Sequence, residues 1–231
     1  MMGEKMKRIM LLALVLTFSF MAQPARADWI PAKRLTWNSG SSVAPAIAID
    51  SSNTIHVVWY DSTPGNNEIF HLKSSDGGAN WSPAKRLTWT SGNSQFPAIA
   101  VDSSDALHVV WQDNTPGNQE IYYKESADGG ATWSPAKRRT WTSGGSYGPD
   151  LAMDSTQAIQ VVWHDNTAGN YEMYNMESTD GGLTWGTAQG ITWTSGDSAW
   201  GSIAIDSSHT IHVVWDDGTP GNKEIYYKNG K

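Results

Sequence analysis

The sequence predicts an all-β fold, a four-bladed β-propeller with blades of four antiparallel strands, and three observations lead there. Twelve of the thirteen tryptophans fall into three columns spaced by 52 residues: Trp29, Trp81, Trp133, Trp185; Trp37, Trp89, Trp141, Trp193; and Trp59, Trp111, Trp163, Trp215. The chain is therefore four copies of one unit. A unit of about this length, rich in short strand-forming runs and aromatics, suits propeller blades, because each small sheet buries its faces only against its neighbours. The ends also fit together. Asp28-Trp29 aligns with Thr132-Trp133, and residues 228–231 align with 124–127. The ring is thus expected to close through an N-terminal outer strand, residues 29–36, joined to the C-terminal blade beside residues 224–228, which removes free sheet edges.

Ahead of the first unit, Lys5, Lys7 and Arg8 precede an apolar run over 9–21 and then Ala25-Arg26-Ala27. This is the pattern of a cleaved secretory signal over 1–27, leaving 28–231 as a single domain. The apolar core is too short for a membrane span, which needs about 20 residues. The chain has no cysteine, so an exported domain of this kind rests on core packing and not on disulfides. Four of the 16 basic residues and one of the 23 acidic residues lie in the leader, which leaves the domain at a net charge of −10. That disfavours nucleic acid and other polyanions as partners. A monomer is expected, with a domain-swapped dimer as the rival arrangement.

Within one unit, residues 45–50 form a short apolar run suited to the strand lining the central axis. The turn Asp50-Ser51-Ser52-Asn53 leads into 54–60, whose core Ile55-His56-Val57-Val58-Trp59 is nearly continuous in hydrophobicity, as in a sheet buried on both faces. After the turn-forming cluster 61–66 comes 68–73, marked as a third strand by Ile69, Phe70 and Leu72. Residues 82–89 supply the fourth and most polar strand, at the outer rim.

The link between third and fourth strands reads Ser74-Ser75-Asp76-Gly77-Gly78-Ala79-Asn80-Trp81. It recurs as Ser126-Ala127-Asp128-Gly129-Gly130-Ala131-Thr132-Trp133 and as Ser178-Thr179-Asp180-Gly181-Gly182-Leu183-Thr184-Trp185. These turns resemble the Asp-box (BNR) repeat, S-x-D-x-G-x-T-W, of the sialidase-like β-propellers. The resemblance covers the whole expected domain and departs from the pattern at Asn80. It implies that Asp76, Gly78 and Trp81, with Asp128, Gly130 and Trp133 and with Asp180, Gly182 and Trp185, are structural, on the face opposite any ligand site. It implies little about activity, since one fold hosts many functions.

The related sialidases use three arginines on the sugar carboxylate, a Tyr nucleophile polarised by a Glu, and an Asp acid/base. Arg34, Arg86 and Arg138 share one outer-strand column and Arg139 adjoins the third, so that catalytic set has no matching positions here. The repeated carboxylate pairs Asp61/Glu68, Asp113/Glu120, Asp165/Glu172 and Asp217/Glu224 admit three readings: turn capping, repeated ligand binding, or catalysis or calcium coordination. Fourfold repetition counts against a single catalytic pocket, and the spacing is not that of an EF-hand loop. No metal or cofactor is expected, and His56, His108 and His212 read as packed strand residues because Gln160 replaces the fourth.

The Trp59 column, embedded in Val-Val-Trp, reads as core, whereas Trp37, Trp89, Trp141 and Trp193 are open to two readings, wedge or ligand platform. Three sets of positions vary among the copies: Tyr60, Gln112, His164, Asp216; Asn67, Gln119, Tyr171, Lys223; and Val43-Ala44, Gln95-Phe96, Tyr147-Gly148, Ala199-Trp200. These mark the solvent-facing rim. Indoles beside carboxylates and amides suit neutral sugars. The expected function is a secreted, non-catalytic, lectin-like recognition module binding a neutral glycan or glycoconjugate at repeated sites. The alternatives are a sialidase-like exo-glycosidase with a divergent site and a structural or protein-interaction propeller.

Overall fold

The computed structural model describes residues 29–231, so the expected signal sequence lies outside the described residues. Four antiparallel sheets follow one another along the chain. The first is β1 (Ser42–Ile49), β2 (Ile55–Asp61), β3 (Glu68–Ser74) and β4 (Lys85–Arg86). The second is β5 (Ser94–Val101), β6 (Leu107–Asp113), β7 (Glu120–Ser126) and β8 (Lys137–Arg138), and the third β9 (Ser146–Met153), β10 (Ile159–Asp165), β11 (Glu172–Ser178) and β12 (Gln189–Gly190). The fourth holds β13 (Ser198–Ile205), β14 (Ile211–Asp217) and β15 (Glu224–Gly230). Each sheet is a meander whose strands pair in chain order, which is consistent with a β-propeller.

Two element boundaries differ from expectation for physical reasons. The innermost strand starts at Ser42 and not at residue 45, because a bulge between Val43 and Ala46 lets the pairing resume beyond Pro45. The fourth strand shrinks from residues 82–89 to two. Pro83 has no N–H to give, and beyond Arg86 a side chain replaces the ladder: the Ile69 N–H donates to Thr88 Oγ1 at 2.8 Å while the Leu87 N–H returns to Ile69 O at 2.7 Å.

Burial comes from neighbouring blades. Val110, Ile121 and Tyr123 of the second blade pack on Leu151, Ile159, Val161 and Trp163 of the third. The same columns recur as Val58 and Ile69 against Ile99, Val109 and Trp111, and as Val162 and Met173 against Ile203, Val213 and Trp215. Trp59, Trp111, Trp163 and Trp215 are all buried, as their Val-Val-Trp context requires. The strands β1, β5, β9 and β13 line a common axis, each packed on the next, but β13 and β1 do not touch. Accordingly Ile47 is 63% exposed where its counterparts Ile99, Leu151 and Ile203 are 7–9%. On the other flank Val214, Ile225 and Tyr227 are 41–76% exposed, and among the described residues no outer strand pairs with β15.

The glycine turns fasten one blade to the one before. Asp76 Oδ1 accepts from the Ser74 hydroxyl and the Asn80 N–H at 2.8 Å each, and the Trp81 indole N–H donates to Gly78 O at 3.0 Å. The bonds from Asn80 and Ser74 hold the Asp76 carboxyl down to about 2. Asp128 and Asp180 accept the equivalent bonds from Thr132 and Thr184. Gly182, at φ +90°, lies so close to Tyr123 that an added Cβ would stand 2.1 Å from the phenol oxygen. Trp185 meets the same Tyr123 ring edge-on at 5.2 Å.

Candidate functional site

In the first sheet Ile55 pairs with Ser74 at the end bearing the Asp76 turn, and Asp61 pairs with Glu68 at the other end. The repeated Asp and Glu columns therefore sit together at the face remote from the glycine turns. They are turned inward. Asp113 Oδ2 accepts from the Ser94 hydroxyl at 2.6 Å and Oδ1 from the Thr115 N–H at 2.7 Å. Asp61, Asp165 and Asp217 accept the same pair of bonds from Ser42 and Thr63, Ser146 and Thr167, and Ser198 and Thr219. Burial pushes the Asp217 carboxyl up, but its hydrogen bonds together outweigh this and hold it at about 2.

The glutamates knit each hairpin to the strand beyond it. Glu120 Oε1 accepts from Arg138 at 2.6 Å, from Asn118 at 3.1 Å and from the Thr142 N–H at 3.1 Å. Glu68 is held alike by Arg86, Asn66 and Thr90. In the third blade Gly190 stands in the place of the arginine, and the Thr192 hydroxyl donates to Glu172 Oε2 at 2.5 Å instead. Glu68, Glu120 and Glu172 are buried, while Glu224, on the unflanked β15, is exposed and receives Asn222. This arrangement is that of turn capping and strand tethering.

The second tryptophan column behaves differently. Trp37, Trp89, Trp141 and Trp193 are 67–75% exposed, the last three just beyond the short fourth strands β4, β8 and β12. A cation backs three of these rings: Arg86 lies 5.5 Å from the Trp89 centroid, Arg138 5.6 Å from Trp141 and Lys228 5.6 Å from Trp193. In the third blade the Trp193 ring also lies against Gly190, filling the space where its counterparts have arginine. Each of these three indoles is thus steadied by a cation, a contact worth about 0.5–1 kcal/mol at an exposed site. All four of the column lie exposed at the surface and are not wedges between sheets.

The positions that vary among the copies converge at the centre of the same face. On β5 and β13, Phe96 and Trp200 occupy the bulge of the inner strand with φ of 50° and 54°, a left-handed conformation that bulky side chains rarely adopt. Their rings meet edge-on at 5.6 Å across the axis. Trp200 continues onto His164 at 5.1 Å, and His164 is stacked by Tyr147 and faced edge-on by Tyr171. Gln112 Oε1 accepts the Gly148 N–H at 2.8 Å. Burial pushes the His164 imidazole down to about 4, so it is neutral near pH 7. Lys223 and Asp216 pair at 2.7 Å beside this cluster.

Apart from His209, which pairs with Asp154 in a turn, the other histidines serve strand packing. His56 bonds His71 at 3.1 Å and His108 bonds the Tyr123 hydroxyl at 2.8 Å, while His212 bonds Tyr227 at 2.9 Å. Arg139, a core position held by Leu87 and Ile191 in other blades, lies between Tyr123 and Trp185 at 5.1 and 4.9 Å. Arg86, Arg138 and Arg139 lie on or beside the outer strands β4 and β8 and are not gathered at the axis.

No protein-family model and no curated protein sequence matches this chain. Solved structures do. A protein of unknown function from Dyadobacter fermentans DSM 18053 is similar over 82% of this chain and 69% of its own, at 13% identity and a TM-score of 0.64. The Penicillium chrysogenum α-L-arabinanase complexed with arabinobiose matches over 82% and 62% of the two chains, with 15% identity and a TM-score of 0.63. The endo-arabinase of Bacteroides thetaiotaomicron VPI-5482 matches over 87% and 79%, with 14% identity and a TM-score of 0.60. The chain thus spans less than two thirds of the fungal arabinanase. These likenesses establish a shared fold.

Proposed function

We propose that this chain is a secreted, non-catalytic recognition module of the sialidase-like, Asp-box propeller group, lectin-like in action. It holds neutral glycans through repeated platforms on the face remote from the glycine turns. The observation that carries this reading is the column Trp37, Trp89, Trp141 and Trp193, one exposed indole per unit in one structural position. The apolar face of a pyranose packs on such a ring, and several weak contacts on one extended glycan gain affinity through multivalency. The arabinanase and endo-arabinase structures add support at the level of fold. A glycosidase reading needs two carboxyls flanking the scissile bond, about 5 to 9.5 Å apart. Here Asp61, Asp113, Asp165 and Asp217 with Glu68, Glu120 and Glu172 are buried in bonds of the fold's own. A glycan array run beside a fluorogenic glycoside panel tests the reading. Binding of neutral glycans without turnover is expected, and replacing all four platform tryptophans by alanine abolishes it. Turnover destroyed by one carboxylate substitution would put a glycosidase in its place. For export, intact-mass analysis of secreted material is expected to find Asp28 at the N-terminus.

The same reading takes the ring as closed and the protein as a monomer. Residues 31–37, Pro-Ala-Lys-Arg-Leu-Thr-Trp, repeat 83–89 residue for residue, and in the first blade 83–89 fills the place beside β3 that stands open beside β15. Closure would bring Ile47 against Val214, Ile225 and Tyr227, the columns that pack at the three internal interfaces. Deleting residues 28–37 is expected to cause aggregation or oligomerisation on a sizing column with light scattering. A truncated protein that remains monomeric with an unchanged Tm would remove closure from the account, and a wild-type dimer would favour strand exchange between copies.

A further inference from the structure

The centre of this face is not equivalent to its rim. The platform tryptophans are one residue repeated, whereas the axial cluster is assembled once, from positions that differ in every blade. Phe96 comes from the second blade, Tyr147, His164 and Tyr171 from the third, and Trp200 from the fourth. With Gln112 they line a pocket of about 230 Å³. That is below the roughly 300–1,000 Å³ of sites for drug-sized ligands. We infer that this pocket is a separate, single site that takes one terminal uncharged sugar ring, stacked on the Trp200 indole and hydrogen-bonded by Gln112, Tyr147 and Tyr171.

Backbone strain, ring placement and charge agree. A left-handed backbone at Phe96 and at Trp200 costs on the order of 1–3 kcal/mol each, and such strain persists where the surroundings hold it in place. Here it aims two large rings at the axis. Gly148, also left-handed at φ +55°, lets the His164 and Trp200 rings close on the backbone: an added Cβ would meet His164 at 3.0 Å and Trp200 at 3.2 Å. The His164 ring lies tilted against the indole at 5.1 Å, and Trp200 remains 54% exposed. The polar groups at the walls include an amide and two phenols, planar donors and acceptors that suit hydroxyls, beside the Asp197 carboxylate and the Lys223 ammonium. Lys223 is neutralised by Asp216, and Asp197 Oδ1 accepts the Tyr171 N–H at 3.0 Å. No unpaired positive charge is offered to a carboxylate. Nor is a cation favoured, because the Lys223 ammonium is itself among the lining groups.

The inference rests on the preceding proposal only in taking a sugar as ligand, and the two fail separately. Saturation-transfer NMR is run with a panel of methyl pyranosides and methyl arabinofuranosides, with glucuronate and choline as charged probes. At least one neutral glycoside is expected to bind with a stoichiometry of one. Trp200→Ala should weaken it at least tenfold, while the variant lacking the four platform tryptophans binds it as wild type does. Tyr171→Ala, which leaves the backbone bond to Asp197 in place, serves as a second probe should Trp200→Ala fold poorly, with the same loss expected. Four equivalent sites that vanish with the platform tryptophans would overturn the axial site and leave the rim proposal standing. Preferential binding of glucuronate or choline, or no response to any neutral glycoside, would overturn it as well.

Discussion

Two neighbouring columns at the hairpin of every blade have opposite fates. Asp61, Asp113, Asp165 and Asp217 are identical and buried, and one residue earlier stand Tyr60, Gln112, His164 and Asp216, no two alike. The pattern repeats across the turn, where Glu68, Glu120, Glu172 and Glu224 follow Asn67, Gln119, Tyr171 and Lys223. Adjacent residues of a strand point to opposite sides, so one column ties the hairpin to its sheet while the next is free to meet something else. In a repeat protein, identity among copies marks what every blade needs, and difference marks what the ring needs once.

The largest effect is expected in the identical columns. Asp113→Ala leaves the Ser94 hydroxyl and the Thr115 N–H without their acceptor. Each stranded group costs about 1–3 kcal/mol, and at this chain length each kcal/mol moves Tm by about 2–4 °C. A fall of roughly 4–24 °C in a calorimetric melt is expected. A fall under 2 °C would break the distinction between the columns.

Acid titration separates them next. His164, in a varying column, is held neutral by burial with its pKa lowered to about 4. The unfolded chain takes up a proton below about pH 6.5 that the folded protein refuses until about 4, so this contribution to stability is present above 6.5 and lost as pH falls through that window. His71, lowered to about 3 by burial, acts in the same sense to lower pH. Asp217, held at about 2, loses its contribution only below about pH 3.8. In urea melts against pH, His164→Gln should flatten the limb between 6.5 and 4 and leave the acid limb of the aspartates unchanged.

The smallest effect on stability belongs to the rim. Trp89→Ala removes an exposed ring and its contacts with Arg86 and Lys124, for about 0.5–1 kcal/mol. Surface plasmon resonance on an immobilised polysaccharide is expected to show faster dissociation, with binding retained by the remaining platforms.

How far these roles were legible in the sequence follows from the same contrast. A 52-residue period gave the four sheets, their order and the buried Trp59 column, because a strand buried on both faces leaves an unmistakable apolar run. The exposure of the Trp37 column was not decided by its sequence. Pro83 and the Thr88 hydroxyl end the fourth strand early, and that places Trp89 beyond the sheet. The inward turn of Asp113 and Glu120 was equally hidden, since a capping carboxylate and a ligand-binding one share a spelling until their partners, Ser94 and Arg138, are brought alongside. The axial cluster was foreshadowed only as variation. Nothing local in Gln95-Phe96 or Ala199-Trp200 announces that two rings 104 residues apart meet across an axis. The repeat also leads one to expect a closed ring, whereas β13 and β1 are not in contact.

The most direct measurement takes one pair of adjacent residues, Tyr171→Ala and Glu172→Gln, and records both Tm and binding of the neutral glycoside that wild type selects from the methyl glycoside panel. Tyr171 is half-buried at the axial pocket, whereas Glu172 is buried and accepts bonds from Thr192, Thr194 and Asn170. Tyr171→Ala is expected to lose binding at least tenfold with a Tm within about 3 °C of wild type, a side-chain effect of under 1 kcal/mol. Glu172→Gln is expected to lower Tm by more than that and to bind normally below its melt. The reverse pattern, with binding lost at Glu172 and stability lost at Tyr171, would contradict the division of this face into columns that hold the fold and columns that meet the ligand.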